Sequence, residues 1–265
     1  MAFLYEMHLH TCQGSACGRS TGAEHARFYK DAGYQGIFVT DHFFGGNTAV
    51  PRDLPWEERI HRFCKGYEDA KAEGDRIGLD VFFGWEQNFA GDEYLIYGLD
   101  KQFLLDHPEM EHWTRRQQWE EVHRCGGCVI QAHPFRDRAY IAKVLLARQY
   151  CDGIEVANAI NHAQNDVCAW RYAKEYDLPV TVGSDNHYHK WAIDNQNELC
   201  ALQLDQPLKN AKELVQKILN HEKMGIHFPS WHLEAAVDAP QKPAFWLDDR
   251  EQPYPTNRNW LAEES

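Results

Sequence analysis

The sequence predicts an α/β fold in which a mostly parallel sheet presents its polar residues at one end. Apolar, β-branched runs alternate with helical segments along most of the chain, the pattern of strands joined by crossover helices. Those runs carry Asp, Glu or His at or near their ends, where the chain leaves a sheet and side chains converge on a pocket. The length, 265 residues, suits one α/β barrel, a class that commonly runs to about 200–250 residues.

Phe3–His10 opens as a strand ending in His8-Leu9-His10-Thr11. Residues i and i+2 of an extended segment share a face, so both imidazoles converge. Gln13–Gly22 is a loop, and Gly22–Ala32 is helical up to Gly33. Gln35–His42 is the second strand and ends in Asp41-His42; Gly45, Gly46, Pro51 and Pro55 make residues 43–56 a long loop. Glu57–Gly74 reads as one helix with charged faces. Leu79–Gln87 is a strand containing Glu86, and the turn at Gly91-Asp92 returns Glu93–Leu99 as its hairpin partner. Thr114–Arg124 is a helix, with His107, His112 and His123 around it as solvent or packing residues.

Cys128–Pro134 is a strand running into His133, with Arg136 just beyond, and Tyr140–Tyr150 is predicted helical. Gly153–Asn158 is a strand carrying Glu155, followed by Asn161 and His162. Asn165–Tyr176 is a helix stopped by Asp177 and Pro179. The next run, from Val180, ends at Gly183 and opens onto Ser184-Asp185-Asn186-His187, with His189 beyond. Leu199–Leu204 is a strand and Lys209–Glu222 a helix with apolar residues at helical spacing. Ile226–Ser265 carries Pro229, Pro240, Pro243, Pro253 and Pro255 among aromatics and reads as an irregular arm. The expected organisation is therefore a barrel over residues 1–225 and a Pro/Trp-rich extension over 226–265 packed on it. Trp231, His232 and Trp246 of the arm are expected to wall the pocket as a lid.

Net charge is −13 with no block of like charges. Nucleic-acid binding needs a basic footprint, so that partner class is excluded. No apolar run approaches the roughly 20 residues of a membrane span. The opening residues lack the basic and apolar regions of a secretory signal, and the eight cysteines are scattered, so a cytoplasmic protein with reduced thiols is expected. Cys125-Gly-Gly-Cys128 matches C-x-x-C, but its glycines fall at a helix end, where a C-cap explains them.

Carboxylate oxygen and imidazole nitrogen are the donors that zinc, manganese and iron take. Of 15 histidines, chance would put two or three at strand ends. His8, His10, His42, His133 and His187 all stand there, with Asp41, Glu86, Glu155 and Asp185 among them.

His8-Leu-His10-Thr11, Thr40-Asp41-His42, Gly84-Trp-Glu86, Ala132-His133-Pro134 and Gly183-Ser184-Asp185-Asn-His187 resemble, in order over residues 1–205, the motifs of the PHP (polymerase and histidinol phosphatase) superfamily. The resemblance implies a distorted seven-stranded (β/α) barrel holding two or three divalent ions (zinc, manganese or iron). It implies that His8, His10, Glu86 and Asp185 hold the first ion, that Glu86 bridges to a second carrying His133, and that His42 and His187 hold a third. Two positions depart from the family. Ser15 and Ala16 stand where an Asp or His usually completes the third site, and the strand Glu93–Tyr97 lacks the usual histidine. Water, a substrate phosphate, Tyr94, Cys17 and His162 are the alternatives for those places.

The activity implied is a phosphoesterase releasing phosphate from a small phosphorylated metabolite by attack of a metal-bound hydroxide. Glu86 would bridge, Asp185 would orient or deprotonate the water, and His187 or His42 would protonate the leaving oxygen. Arg136 is the first choice for binding phosphate, because its fork can engage two oxygens. Arg19 and Lys190 are weaker choices, Asn158 orients a loop or the substrate, and Glu155 supports the ligands. The competing readings are an amide or lactone hydrolase using the same centre and a non-catalytic accessory protein.

Overall fold

The computed structural model describes residues 2–139, 141–234 and 241–262. Among them the strands are β1 (Phe3–Glu6), β2 (Gly36–Val39), β3 (Asp80–Phe89), β4 (Asp92–Tyr97), β5 (Cys128–Ala132), β6 (Val144–Leu146), β7 (Gly153–Asn158), β8 (Val180–Gly183), β9 (Ala201–Leu204), β10 (Gly225–His227), β11 (Ala244–Leu247) and β12 (Pro253–Pro255). The α-helices are α1 (Gly22–Asp31), α2 (Trp56–Phe63), α3 (Lys65–Ile77), α4 (Lys101–Asp106), α5 (Arg115–Arg124), α6 (Ala163–Glu175), α7 (His189–Asp194) and α8 (Ala211–Leu219).

One nine-stranded sheet runs in the order β10-β9-β1-β2-β3-β4-β5-β7-β8. It is mixed rather than mostly parallel. β1-β2-β3 and β5-β7-β8 are parallel blocks, while β4 is antiparallel to both its neighbours and β9 to both of its own. The count is nine where seven were expected, because β9 and β10 continue the sheet beyond β1. The sheet nearly closes on itself past the ends of β1 and β8: His10 N–H donates to the Asn186 carbonyl at 3.0 Å and Asn186 N–H to the His8 carbonyl at 3.2 Å. Buried Glu6 braces that seam, accepting from His8 N–H, Ser184 N–H and the Tyr29 hydroxyl at 2.9, 2.8 and 2.7 Å. The closure sets His8 and His10 beside Asp185 and His187.

Local chemistry accounts for most element ends. Thr21 and Glu24 form a reciprocal capping box on α1, and Thr114 with Gln117 does so on α5. Gly126 after α5 takes a φ of +79°, so the C-x-x-C glycines are a helix terminus. The helix expected over Glu57–Gly74 is two helices that meet at Cys64. The break lets Gly66 lie against the loop after β1, so close that an added Cβ would stand 2.0 Å from Thr11 Oγ1.

The α-helix expected over Tyr140–Tyr150 does not form over the described residues 141–150. Tyr140 lies outside the described residues, Val144–Leu146 is strand β6, and Arg148–Tyr150 is a 3₁₀ turn. β6 pairs in parallel with β11, and β12 completes a three-stranded sheet. The partner comes from about 100 residues later, which no local periodicity reports. The arm is therefore partly regular, since β10 joins the main sheet and β11-β12 builds the small one; Pro240 is outside the described residues. The largest core cluster draws side chains from the main sheet and from helices α2, α4, α5 and α6, with Trp85, Tyr94 and Tyr172 fully buried in it.

Candidate metal centre

Each parallel block delivers its polar residues at the carboxyl ends of its strands, where the expected positions meet. His8 and His10 follow β1, His42 follows β2, Glu86 lies in β3, His133 follows β5, and Asp185 and His187 follow β8. His133 and Asp185 have φ of +26° and +51°, a region that costs a non-glycine residue on the order of 1–3 kcal/mol. Both turns aim their side chains at Glu86 and His10.

Glu86 is the hub. Its Oε1 lies 3.2 Å from His133 Nε2 and 3.4 Å from His8 Nε2, and its Oε2 lies 2.6 Å from His42 Nδ1 and 3.6 Å from His10 Nε2. Asp185 Oδ1 is 3.1 Å from His10 Nε2 and 3.6 Å from His8 Nε2. The His10 ring lies against those of both His42 and His187, at 4.1 and 4.4 Å between centroids, and those two rings are 6.0 Å from each other.

A second layer fixes which nitrogen faces inward. His8 Nδ1 is held by Glu155 Oε1 at 2.9 Å, His10 Nδ1 by Ser15 Oγ at 3.1 Å, and His187 Nδ1 by the Asp185 carbonyl at 2.7 Å. Tying one ring nitrogen leaves the other as a lone-pair donor, the usual arrangement around bound metal. Ser15, at a position where the family has a ligand, instead orients: its hydroxyl donates to Asp41 Oδ1 and it accepts from His42 N–H. Asp41 itself is turned from the cluster onto Thr11 and Ser15.

Arg136 is buried and faces inward. Its Nη2 donates to Asp185 Oδ2 at 2.6 Å and to Asn158 Oδ1 at 2.9 Å, and its Nε donates to Asn161 Oδ1 at 3.0 Å. Nη1 has no protein partner among the described residues, and Arg136 lines a small cavity together with Glu93, His133 and Lys143. Asn158 is fully buried, with its amide engaged by Arg136, Glu155 and Asp185. It orients the site and has nothing left for a substrate, which corrects the expectation of direct binding. Arg19 is exposed, and its N–H donates to the His187 carbonyl at 2.8 Å. Lys190 is exposed on α7.

Burial opposes charge on Glu86 and Asp185, yet the surrounding His42 and His8 (for Glu86) and His8, Arg136 and His187 (for Asp185) hold both carboxyls well below the usual range. Burial, with His42 and His187, pushes His10 well down, so it is a neutral donor. Burial and the neighbouring Glu86 raise Glu93.

These residues fit divalent metal. Four interleaved groups place all their donor atoms within 4.8 Å of one another: His8-His10-Asp185, His8-Glu86-His133, His42-Glu86-Glu93 and His10-His42-His187. His42 Nδ1 and Glu86 Oε2 are buried without a hydrogen-bond partner although only 2.6 Å apart, so their lone pairs and protons are not directed at each other. Two such atoms would each cost about 1–3 kcal/mol unless a further group served both.

Sequence reasoning missed Glu93. It lies 3.6 Å from His133 Nε2 and 4.0 Å from His42 Nδ1, a carboxylate on the strand where the family has histidine. Its signal was available: it pairs across the hairpin with Asn88, so it emerges at the same sheet end as Glu86. Tyr94 is excluded as a ligand, because its hydroxyl donates to Asp92 in the core. His162 is exposed at the start of α6 and belongs to none of these donor groups.

Trp231, His232 and Trp246 of the arm pack elsewhere and do not wall the pocket. His232 is fully buried on Asp166 at 2.5 Å, Trp231 stacks on His232 at 3.7 Å, and Trp246 packs on Tyr176 and Trp260. Asp166 then accepts from Asn161, which holds Arg136, so the arm braces the far side of the Asp185 network.

No protein-family model and no curated protein sequence matches the chain. Solved structures do. A two-domain protein from Bacteroides vulgatus, described as containing a predicted PHP-like metal-dependent phosphoesterase, aligns over 86% of this chain with a TM-score of 0.64 and 13% identity. The chain spans 65% of that protein's length. A proposed metal-dependent phosphoesterase from Bifidobacterium adolescentis aligns over 82% of this chain and 95% of its own, with a TM-score of 0.52 and 15% identity. An amidohydrolase from Chromobacterium violaceum reaches a TM-score of only 0.49 at 13% identity, too low to argue a shared fold. The PHP-like fold is thereby shown. No helix among the described residues is long and apolar enough to cross a membrane.

Proposed function

We propose that the chain is a metal-dependent hydrolase and, within that class, a phosphoesterase releasing phosphate from a small phosphorylated molecule. The observation that carries this reading is Glu86, one buried carboxylate approached by His8, His10, His42 and His133 inside interleaved donor groups. A carboxylate shared in this way can give one oxygen to each of two ions. Divalent ions about 3.5–4 Å apart suit in-line displacement at phosphorus. The names of the two better-aligned structural neighbours support the same chemistry.

His8, His10, Glu86 and Asp185 would hold the first ion, Glu86 and His133 with Glu93 the second, and His42 with His187 the third. Bound zinc, manganese or iron would neutralise phosphoryl oxygens and lower the pKa of a coordinated water. Asp185, fixed by Arg136 and Asn158, accepts the proton of the attacking water. His187 is the more exposed imidazole, and its Nδ1 is tied to the Asp185 carbonyl, so its Nε2 would be the lone-pair donor to the third ion and would carry a proton for the leaving oxygen only where that ion is not bound. Arg136 would meet substrate through Nη1, the nitrogen it does not spend within the protein, and Arg19, exposed and tied by its backbone to His187, would be a second cation for phosphate. The substrate is small, the acidic surface does not suit nucleic acid, and the unpaired cysteines suit the cytoplasm.

The test is phosphate release from a panel of phosphomonoesters and nucleotides by protein loaded with Mn²⁺ or Zn²⁺. Turnover should fall at least about 100-fold in Asp185→Asn and His10→Ala. A folded, metal-binding protein that releases no phosphate but cleaves amides or lactones would overturn the phosphoester assignment.

A further inference from the structure

We propose that His232 of the C-terminal arm is a positioning residue of the metal centre: through Asp166 it holds the two asparagines that orient Arg136, and so fixes Asp185 toward the first ion. The inference deepens the metal-dependent reading and rests on it. It begins from an unbroken run of hydrogen bonds. His232 Nδ1 meets Asp166 Oδ2 at 2.5 Å, and Asn161 Nδ2 donates to Asp166 Oδ1 at 2.8 Å. Arg136 Nε then donates to Asn161 Oδ1 at 3.0 Å, and Arg136 Nη2 to Asp185 Oδ2 at 2.6 Å. A second branch leaves the same carboxylate. Asn158 N–H donates to Asp166 Oδ2 at 3.3 Å, and Asn158 Oδ1 accepts from Arg136 Nη2 at 2.9 Å. All six residues are buried.

The chemistry of each link fixes its direction. A guanidinium only donates and a carboxylate only accepts, so Asn161 bridges them in one orientation, oxygen on Arg136 and amide nitrogen on Asp166. Asp166, in the first turn of α6, is thus the anchor for both asparagines. Among the described residues, the one further hydrogen-bond partner of its carboxylate is His232.

Packing alone does not account for an imidazole there. His232 is fully buried beside Trp231, stacked on it at 3.7 Å, and Phe228, edge-on at 6.0 Å, and its Nε2 has no partner among the described residues. A buried unpaired nitrogen among aromatic rings costs stability that a phenylalanine would not, so what the imidazole contributes is its Nδ1 contact.

Zinc affinity of the full-length protein in a chelator competition tests this, with urea midpoints measured alongside. His232→Phe keeps a ring beside Trp231 and removes the bond to Asp166. It should weaken zinc binding about 5–10-fold, within the range for a residue that touches no ligand. His232→Asn puts an amide nitrogen where Nδ1 stood and should restore the affinity. Where Arg136→Met has already cut the chain, His232→Phe should have no further effect on zinc, which separates positioning from a general loss of stability. Glu198→Ala releases Trp231 Nε1 on the same turn without touching the chain, and should leave zinc binding unchanged. Unchanged affinity in His232→Phe, an equal fall in the Arg136→Met background, or an equal fall in Glu198→Ala would overturn the role of His232 and leave the metal centre standing. If His232→Phe does not fold, Asn161→Ala cuts the same chain inside the barrel, and zinc affinity that survives it would overturn the inference as well. A wild-type protein that takes up no zinc would overturn the metal centre itself, and the inference with it.

Discussion

Arg136→Met should cost the metal-free protein about 3–5 kcal/mol, the usual penalty for removing one partner of a buried ion pair. The magnitude follows from what Arg136 holds. Asp185 is 1% exposed, and Arg136 Nη2 meets its Oδ2 at 2.6 Å. The substitution leaves that carboxylate without its nearest cation, takes the guanidinium from Asn161 Oδ1, and leaves Asn158 Oδ1 only the Ile160 N–H. Each lost charged hydrogen bond is worth about 1.5–3 kcal/mol, but members of one network are not additive, so the pair penalty sets the scale. A domain's whole stability is about 5–15 kcal/mol, so the variant should fold but unfold at much lower urea. Arg136→Lys, which keeps the charge but not the fork, should fall between. Metal should shrink the deficit, because ions at the cluster take over the compensation of Asp185. The assay is urea unfolding with and without metal, closed by a double-mutant cycle with Asp185→Asn. A coupling below about 1 kcal/mol in the metal-free cycle, or a deficit that metal does not reduce, would refute the assignment of Arg136 as the counterion of Asp185.

Three further outcomes are expected. Glu155→Gln keeps shape but weakens the acceptor that holds His8 Nδ1 and His133 N–H, so zinc affinity in a chelator competition should drop about 10–100-fold; an unchanged affinity would show that His8 is aimed without it. Glu93→Gln should lower metal content, while Tyr94→Phe should leave it intact and cost only about 1 kcal/mol of stability; equal metal contents would remove Glu93 from the ligand set. His25, buried against the His10 carbonyl, has its pKa pushed down from 6.5 to about 3, mainly by burial. Its neutral form therefore contributes stability that is complete above about pH 6.5 and is lost toward pH 3, at about 1.4 kcal/mol per pH unit. His25→Gln, still able to donate to that carbonyl, should flatten this part of the acid limb in metal-free protein, and parallel urea midpoints of the two proteins between about pH 4 and 7 would contradict it.

The likeness of the fold to PHP-like structures was legible because its signals are local. A period-2 apolar run that stops in His-x-His, Asp-His or Asp-x-His states both that a strand ends and which donors stand at its end. Hairpin β3-β4 was equally readable from Gly91-Asp92. What local reading misjudged were segments whose partners are remote. Val144–Leu146 has the composition of either a helix or a strand, and β11 decides between them. The tail's prolines suggested irregularity, but its strands pair with β6 and β9.

At the candidate site, the sequence by itself determined the donor types and their places at strand ends, since side-chain chemistry and strand period need no partner. Only the tertiary structure decided which of those groups face each other. It brought Glu93 beside His133, turned Arg136 inward onto Asp185, buried Asn158, set Ser15 on Asp41, and linked His232 of the arm to Asp166. The reason is physical. The direction of a buried polar side chain is chosen by partners that arrive from other parts of the chain, because leaving it unpaired costs more than any local preference.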